Sequence, residues 1–383
     1  MAEPLETASS LFVSRFGSAP TAAAEAPGRV EILGNHTDYN GGLVLAAAID
    51  RVTAVVGSAT DDGSIVLVAP DLDDEASFSV NDIKADDAHS WASYVLGVAD
   101  QLKKAGVKVG GFKAVLVSNV PVGAGLSSSA ALEVATALLL KQLYPYEMQK
   151  MEIAKLCQRA ENQFVGVSSG LLDQFSSTFG AKDSLLFLDC QSFENRTVPI
   201  SGGGVSLVIC NSMKKHSLTS GHYNERRAEC EEAAAHFGKS ILRDVDPAKF
   251  EAGKSALPDN VRKRAEHVFG ENQRVVDGIA AAQSGNLDGL GAAMSGSHES
   301  SRTLFENSIP ELDFLVSTAK TLPGCYGARL TGGGWGGATV NLVADAQVES
   351  FSAAIAAKYK AHTGIDPTVF ACGIGDGAHI VKI

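Results

Sequence analysis

The sequence has no hydrophobic run long enough to span a membrane and no excess of basic residues. Of its 383 residues 45% are hydrophobic and 20% are charged, and no apolar run approaches the roughly 18 residues of a membrane helix. The opening segment lacks a basic region followed by an apolar one, so no secretory signal is predicted. With 32 Lys and Arg against 44 Asp and Glu, the net charge of -12 argues against binding to nucleic acid or to an anionic membrane. We therefore expect a soluble, acidic, cytoplasmic protein.

Cysteines are also few, and no two of them form the Cys-x-x-Cys pair that is typical of a zinc site. In a protein without a secretory signal, such scattered cysteines are expected to be reduced and mostly buried. The six are Cys157, Cys190, Cys210, Cys230, Cys325 and Cys372. We therefore predict neither a disulfide framework nor a zinc site.

What the sequence does contain is a mixture of short β-branched runs and longer amphipathic stretches. Runs bounded by Gly, Asp or Asn predict strands over 51–56, 64–68, 112–118, 184–188, 205–210, 339–343 and 368–371. Apolar residues at helical spacing predict helices over 127–143, 152–164 and 222–237. The length favours two domains. The glycines at 202–204 are the preferred boundary, which divides the chain into residues 1–200 and 201–383.

A glycine- and serine-rich segment follows the strand predicted at 112–118 and opens the helix predicted at 127–143. Its glycines let the backbone approach a ligand closely, and the start of a helix offers unpaired N–H groups to an anion such as a nucleotide phosphate. A Walker A loop is excluded because no Lys follows, and a dinucleotide fingerprint is excluded because Ser128 stands where a third Gly is needed. A tight turn capped by serine explains the bare Gly-x-Gly equally well.

A second glycine-rich loop, 332–337, precedes the strand predicted at 339–343. Five glycines in six positions cost much conformational entropy, so a plain connector is a poor explanation. We expect the backbone of this loop to contact a ligand or another loop. Two such loops, far apart in the sequence, predict a site between two domains.

Several charged residues are ambiguous from composition alone. The stretch 28–42 mixes donors and acceptors as a sugar site would, but its composition favours a solvated loop. Asp173 lies beside two leucines and reads more readily as a helix cap than as a functional carboxylate. Glu161 lies next to the apolar stripe of its predicted helix, where a glutamate is usually solvated.

Taken together, the segments resemble the galactokinases, a branch of the small-molecule kinase superfamily of galactokinase, homoserine kinase, mevalonate kinase and phosphomevalonate kinase. The similarity is carried by the sugar signature at 28–40, the phosphate loop at 121–131, the catalytic segment at 170–175, the galactokinase-specific stretch at 215–232 and the glycine loop at 329–337. These five segments occur in the order of the family. The resemblance implies an α+β fold of two domains, ribosomal-S5-like and then ferredoxin-like, with the active site in the cleft between them.

The resemblance also implies roles for particular residues. Asp173 is expected to act as the catalytic base at the anomeric hydroxyl of the sugar, with Arg29 beside it. Ser129 and Glu161 are expected to hold Mg²⁺ against the phosphates of ATP, with Ser128 as the second choice for the hydroxyl ligand.

For the two substrates the resemblance implies two groups of contacts. The sugar is expected to contact Asn35, His36, Asp38, Gly170, Asp173 and Tyr223. ATP is expected to contact Trp91, Tyr94, Gly123, Ala124, Gly125, Leu126, Ser127, Ser128, Ser129 and Ala130. Without the resemblance, the helical spacing of Trp91 and Tyr94 and the position of Tyr223 would indicate core residues.

Two departures lie inside the sugar signature, because the usual Asn of the family is Glu31 here and its usual Glu is Asn35. In the family, the acid at the position of Asn35 accepts a hydrogen bond from the C6 hydroxyl. We therefore predict ATP-dependent phosphorylation of galactose at its anomeric hydroxyl, by a monomer, with weakened discrimination at C6. The alternatives are a kinase of N-acetylgalactosamine, a pentose or a uronic acid, and a non-catalytic sensor of sugar and ATP.

Overall fold

The computed structural model describes residues 3–167, 169–201, 203–214 and 219–383. Gly202 of the predicted boundary and Lys215, His216 and Ser217 of the galactokinase-specific stretch lie outside these ranges. Within them the strands are β1 (Ala22–Leu33), β2 (Leu43–Thr60), β3 (Ser64–Ala69), β4 (Asp74–Ser79), β5 (Gly111–Ser118), β6 (Ser184–Asp189), β7 (Asn195–Pro199), β8 (Val205–Asn211), β9 (Cys325–Thr331), β10 (Ala338–Ala344), β11 (Thr368–Cys372) and β12 (His379–Val381).

The helices in the same part of the chain are α1 (Pro4–Phe16), α2 (Ala92–Lys104), α3 (Ser128–Leu143), α4 (Lys150–Arg159), α5 (Leu172–Phe179), α6 (Thr219–His236), α7 (Pro247–Gly253), α8 (Asp259–Ser284), α9 (Leu287–Ser300), α10 (Pro310–Ala319) and α11 (Val348–Thr363). Two of them continue into π-helical turns, α4 into Ala160–Val165 and α9 into Ser301–Phe305. Such turns occur frequently at functional sites.

The strands form two sheets. Within the described ranges, the larger sheet has eight strands in the order β12-β1-β2-β5-β3-β4, and β6 and β7 are added through β2. The smaller sheet has four antiparallel strands in the order β11-β8-β10-β9. Helices α2 and α3 pack their apolar faces on the larger sheet, whereas α10 and α11 pack on the smaller one. This is an α+β arrangement with the chain crossing between two layered units.

The seven strands predicted from sequence are confirmed, each inside an observed strand, and the three predicted helices are confirmed as α3, α4 with its π-helical turn, and α6. The solvated loop favoured for 28–42 is wrong: residues up to Leu33 belong to β1 and are buried, and in the turn that follows only Asp38 and Tyr39 are even partly exposed. Polar residues are tolerated there because their partners come from distant elements. The domain boundary near residue 200 stays a prediction.

The pairing of β1 with β2 determines where the functional side chains point. The register is regular from Arg29 to Glu31 and shifts on either side, after Pro27 and after Glu31. Gly28 lies so close to the loop before α3 that an added Cβ would be 2.6 Å from the carbonyl oxygen of Leu126. The backbone of Arg29 donates a hydrogen bond to the same oxygen at 3.0 Å. The glycine- and serine-rich loop is therefore attached directly to β1.

Candidate active site

The centre of the site is an ion pair between Arg29 on β1 and Asp173 in the first turn of α5. The Arg29 Nη2 and Nε atoms lie 2.6 and 2.8 Å from Asp173 Oδ1, and Nη1 donates to the carbonyl oxygen of Gly125 at 2.6 Å. Ser127 Oγ donates to Asp173 Oδ2 at 2.6 Å. The helix cap favoured for Asp173 is wrong, because Leu171 is at the N-cap and the carboxylate is bound by these donors instead. Its orientation is therefore determined by β1 and the loop before α3.

The loop before α3 has a backbone that few residue types could adopt. Gly123 and Gly125 have φ angles of +73° and +71°, and Ser127 has +56°, a left-handed conformation that is unfavourable for a residue with a side chain. The buried side chains of Ala124, Leu126 and Ala130 anchor the loop from below. Ser127 is at the N-cap of α3 but makes no side-chain cap, which leaves N–H groups of the first helical turn available to an anion.

Ser129 and Glu161 form the predicted metal-binding pair. Ser129 Oγ lies 3.2 Å from Glu161 Oε1, whereas Glu161 Oε2 accepts hydrogen bonds from Ser169 Oγ at 2.6 Å and Gln174 Nε2 at 2.8 Å. Burial, followed by the charge of Asp173, raises the pKa of Glu161. The solvated position expected for Glu161 from composition is wrong, since only 5% of the residue is exposed.

This pair suits Mg²⁺. Magnesium is usually held by one or two carboxylates together with substrate phosphates and water, so one serine and one glutamate are sufficient. No group of three or more His, Cys, Asp or Glu residues that could hold a metal occurs in the described ranges. The oxygen-only donor set of Ser129 and Glu161 therefore fits a metal that is bound jointly with the nucleotide.

Glu161 is held in place by a buried network that the sequence did not indicate. Gln174 Nε2 donates both to Glu161 and, at 2.9 Å, to Glu133 Oε2. Glu133 is fully buried, and burial together with the charge of Glu161 raises its pKa well above the usual range. The helical spacing of α3 and α5 could have placed both residues on inward faces but could not have paired them.

A cavity of about 200 Å³ whose lining residues are mostly charged or polar, the polar cavity, lies beside the Arg29–Asp173 pair. This volume is below the roughly 300–1,000 Å³ of sites for drug-sized ligands, so it suits a small molecule. The predicted sugar-binding residues line it, namely Asn35, His36, Asp38, Gly170, Asp173 and Tyr223, and so do Arg29, Glu31, Glu161 and the backbone of Gly332 and Gly333. The structure thus brings together every residue predicted to contact the sugar.

Asp38 and Gly170 face each other across one side of the cavity. A Cβ atom added to Gly170 would lie 1.7 Å from Asp38 Oδ2, so only glycine leaves room for this carboxyl group. Burial, followed by the charges of Asp173 and Glu31, raises the pKa of Asp38 to about 7. The group can therefore change protonation near neutral pH.

His36 is held by the protein through both ring nitrogens. Nε2 lies 2.9 Å from the carbonyl oxygen of Gly333, which can only accept, so Nε2 carries the proton and Nδ1 accepts from Tyr39 Oη at 2.8 Å. Burial lowers the pKa of His36 to about 3, so the ring is neutral. It stacks on Phe305 at 4.5 Å between centroids, and Tyr223 packs against it at 5.2 Å. These aromatic rings form one wall of the cavity.

Asn35 is buried and uses both ends of its amide within the protein. Nδ2 donates to Glu31 Oε2 at 3.2 Å and to the carbonyl oxygen of Gly332 at 3.0 Å. Oδ1 accepts from Asn307 Nδ2 at 2.8 Å and from Ser301 Oγ at 3.3 Å. A direct contact between Asn35 and a sugar stays a prediction.

The turn that carries these residues is held from the C-terminal half of the chain. Glu271 on α8 accepts hydrogen bonds from the backbone N–H groups of Gly34 and Asn35, both at 3.0 Å, and from Ser297 Oγ at 2.9 Å. His267, one turn earlier, donates from Nε2 to the carbonyl oxygen of Asn35 at 2.9 Å. Sequence reasoning missed both residues, since a buried Glu and His on a helix carry no local signal of their partners.

The two glycine-rich loops contact each other, as predicted for the second loop. A Cβ atom added to Gly332 would lie 3.2 Å from the carbonyl oxygen of Gly125. One on Gly334 would lie 2.2 Å from the carbonyl oxygen of Asn307. The loops therefore pack backbone against backbone where the two sheets meet, next to the cavity.

A second, largely apolar cavity of about 280 Å³ is lined in part by the first turns of α3. Trp91 and Tyr94 line it together with Leu72, Leu116, Val122, Leu132, Ser128 and Ser129. Trp91 Nε1 donates to Asp74 Oδ2 at 2.7 Å. Because Ser129 lines this cavity and its partner Glu161 lines the polar one, the two cavities meet at the predicted metal-binding pair.

Comparisons with known proteins agree with this geometry. Residues 93–181 match the family model described as GHMP kinases N terminal domain, 279–361 match GHMP kinases C terminal, and 10–59 match the galactokinase galactose-binding signature. The chain is 41% identical to a galactokinase of Roseiflexus sp. (strain RS-1), covering 96% of this chain and 94% of the relative. It is 43% identical to a galactokinase of Pasteurella multocida (strain Pm70), covering 98% and 99%.

Solved structures show the same relationship. The crystal structure of Lactococcus lactis galactokinase complexed with galactose superimposes with a TM-score of 0.92 at 32% identity, covering 97% of this chain and 98% of that one. The mevalonate kinase of Methanococcus jannaschii, at 21% identity, has a TM-score of 0.67 and shares the fold.

The fold and the site define a small-molecule kinase of the GHMP superfamily, which confirms the predicted α+β fold. Within it, the chain belongs to the galactokinase family, whose members are phosphotransferases with an alcohol group as acceptor. No helix in the described ranges is both long and apolar enough to cross a membrane. The predicted monomer and cytoplasmic location stay predictions.

Proposed function

We propose that the protein transfers the γ-phosphoryl group of ATP to the anomeric hydroxyl of galactose, giving galactose 1-phosphate and ADP. The observation that carries this proposal is the position of Asp173. Its carboxylate lines the polar cavity and is bound by Arg29, and by Ser127 of the loop that opens α3. A base at this point would be next to both a sugar in this cavity and nucleotide phosphates on the loop before α3.

In the proposed reaction, the oxygen of the anomeric hydroxyl forms the new bond to phosphorus, and Asp173 accepts the proton of that hydroxyl. The bond from that phosphorus to the bridging oxygen of ADP breaks. Arg29 orients the carboxylate through two nitrogen atoms and adds positive charge beside the transferred group. Asp38, Tyr223 and the backbone of Gly170 hold the sugar in the cavity.

The nucleotide is proposed to bind with its adenine in the apolar cavity beside Trp91 and Tyr94 and its phosphates on the loop before α3. Ser129 and Glu161 would hold Mg²⁺ there, with Ser128 as the second choice for the hydroxyl. A bound magnesium ion supplies positive charge that neutralises the phosphate oxygens. Galactose as the acceptor is supported by the galactokinase relatives and by the small polar cavity.

The test is the variant Asp173→Asn, assayed for ADP release with galactose and MgATP. A general base contributes roughly 10²- to 10⁴-fold to rate, and we expect a loss of kcat in this range. Galactose binding, measured by calorimetry without ATP, should persist because the amide keeps the shape of the carboxylate. Near-wild-type turnover would remove Asp173 from the role of base.

The substrate is tested separately with a panel of free sugars and with 1-O-methyl galactoside, in which the accepting hydroxyl is blocked. Galactose should be phosphorylated in a reaction that chelation of divalent metal abolishes, and the methyl glycoside should not react. Faster turnover of N-acetylgalactosamine, a pentose or a uronic acid would reassign the sugar. Binding of sugar and ATP without ADP release would indicate a sensor.

A further inference from the structure

The corner of the polar cavity formed by Glu31 and Asn35 contains two side chains with different remaining hydrogen-bonding capacity. Asn35 donates through Nδ2 to Glu31 and to the backbone of Gly332, and its Oδ1 accepts from Ser301 and Asn307. An amide has two N–H groups and two lone pairs on oxygen. All four positions of Asn35 are therefore occupied by the protein.

Glu31 is not saturated in this way. Only 3% of the residue is exposed, and the carboxylate lines the cavity. Oε1 accepts from Arg329 Nη1 at 3.2 Å and Oε2 accepts from Asn35 Nδ2 at 3.2 Å. Burial raises the pKa of Glu31, whereas the adjacent charges of Arg329 and Arg29 favour its ionised form. An ionised carboxylate has about four lone-pair positions, so each oxygen of Glu31 can still accept from a ligand.

Arg329 lies behind Glu31 and supplies the compensating charge. It is fully buried, and it also donates to the carbonyl oxygens of Ile32 and Leu330. An arginine cannot be deprotonated in a protein, and a buried cation without a partner is strongly unfavourable. The ion pair thus favours a carboxylate, rather than an amide, at position 31.

The register of β1 places Glu31 away from the point of phosphoryl transfer. Arg29 and Glu31 are two residues apart in a regular part of the strand, so they lie on the same face about 7 Å apart. Arg29 binds the catalytic carboxylate Asp173. A sugar whose anomeric hydroxyl is at Asp173 therefore presents a hydroxyl from the far side of its ring to Glu31.

We propose that Glu31 determines specificity by accepting a hydrogen bond from the galactose hydroxyl farthest from the reacting carbon, the one on C6, and that Asn35 positions its carboxylate. This proposal rests on the proposed function and refines it. The exchange of Asn and Glu between positions 31 and 35 then keeps one acid and one amide in the same corner, with the acid on the strand instead of the turn. The proposal therefore replaces the weakened discrimination at C6 that the sequence predicted with discrimination maintained by Glu31.

The test compares galactose with 6-deoxygalactose and 2-deoxygalactose in the wild type and in Glu31→Gln. A charge-assisted hydrogen bond is roughly twice as strong as a neutral one, so we expect KM for galactose to rise about tenfold in the variant. KM for 6-deoxygalactose should change less than about twofold on the same reasoning, because it lacks the hydroxyl concerned. The discrimination against 2-deoxygalactose and the KM for MgATP should stay as in the wild type.

Two further variants control for folding. Glu31→Asp keeps the charge opposite Arg329 but withdraws the carboxylate from the cavity by one methylene group, and it should also lose discrimination at C6. Ser301→Ala removes only the longer of the two hydrogen bonds to Asn35 Oδ1, at 3.3 Å, and leaves the one from Asn307 at 2.8 Å. This variant should therefore keep the wild-type discrimination against 6-deoxygalactose. Thermal unfolding of each variant identifies those that are folded, and Glu31→Asp replaces Glu31→Gln if the latter does not fold.

Wild-type discrimination against 6-deoxygalactose in a folded Glu31→Gln or Glu31→Asp variant would overturn the proposal. This outcome is distinct from failure of the proposed function, in which the wild-type protein itself would not phosphorylate galactose. Loss of discrimination against both deoxy sugars together would also overturn it, since that pattern indicates a general disturbance of the cavity.

Discussion

The contact between Gly170 and Asp38 makes Gly170→Ala a sharp probe of the sugar site. An added Cβ would lie 1.7 Å from Asp38 Oδ2, 2.2 Å from Cγ and 2.9 Å from Cβ, whereas ordinary contacts begin at 3.4 Å. The carboxyl group must therefore retreat by about 1.7 Å, which is more than half the length of a hydrogen bond. Gly170 does not have a left-handed backbone, so alanine itself causes no strain there.

The expected effect of Gly170→Ala is loss of the proposed hydrogen bond between the Asp38 carboxylate and a sugar hydroxyl. Bonds to charged groups contribute about 1.5–3 kcal/mol, which corresponds to a rise in KM for galactose of about 10- to 150-fold. The assay is ADP release over a range of galactose concentrations at saturating MgATP, with galactose binding measured by calorimetry. KM for MgATP should not change.

Gly296→Ala is the matched control. Gly296 lies in α9, where an added Cβ would meet only Arg274 Cδ at an ordinary 3.6 Å, and alanine is favoured over glycine in a helix. This variant should keep the wild-type KM for galactose. If Gly170→Ala folds as stably as the wild type and its KM for galactose stays within twofold, Asp38 does not bind the sugar.

Three other predictions follow from the same site. Trp91→Ala should raise KM for ATP about tenfold without changing KM for galactose, because stacking of a base on an aromatic ring contributes about 1–3 kcal/mol. Trp91→Phe keeps an aromatic ring and should retain most of the affinity for ATP. Steady-state kinetics with each substrate varied in turn would check both variants. Since burial and the charge of Asp173 raise the pKa of Asp38 to about 7, kcat/KM for galactose should fall as the pH drops below 7, and a pH profile of Asp38→Asn should lack this step. Burial alone would raise the pKa of Glu271, but Arg274 and other nearby positive charges outweigh burial and lower this pKa to about 2. A carboxyl group whose pKa is lower in the folded than in the unfolded chain stabilises the fold at pH values above its unfolded pKa. Glu271→Gln should therefore lower the free energy of unfolding in urea by about 3 kcal/mol at pH 7, and the gap between variant and wild type should narrow between pH 5 and pH 2.

Local patterns predicted the elements but not the partners of the polar residues. The strand at 112–118 and the helix from Ser128 follow from β-branched runs and helical spacing, and both are confirmed. The strand β1 was not predicted, because Pro27, Gly28 and its charged residues interrupt the alternation of apolar and polar residues that indicates a strand. Those charges are buried only because ion-pair partners arrive from α5 and β9.

The candidate site depends on contacts between residues far apart in the sequence. Ser127 and Asp173 are 46 positions apart, and Gly34 and Glu271 are 237 apart. From the residues alone Asp173 resembled a helix cap, and only the similarity to a family indicated a base. Neither source could show that Asn35 is saturated by its neighbours, because that follows from four hydrogen bonds formed by tertiary packing.

The pairing of β12 with β1 has a consequence for the order in which the protein is synthesised. Ala23 pairs with Val381, so the outer edge of β1 has no partner until the last residues of β12 have been made. At about 5–20 residues per second, the 358 residues from Ala24 to Val381 take roughly 20–70 s to translate. During that time this edge of β1, the strand that carries Arg29 and Glu31, is open to pairing with other chains. A strand of three residues therefore covers this part of the edge of β1, but only after β2 to β11 have been synthesised.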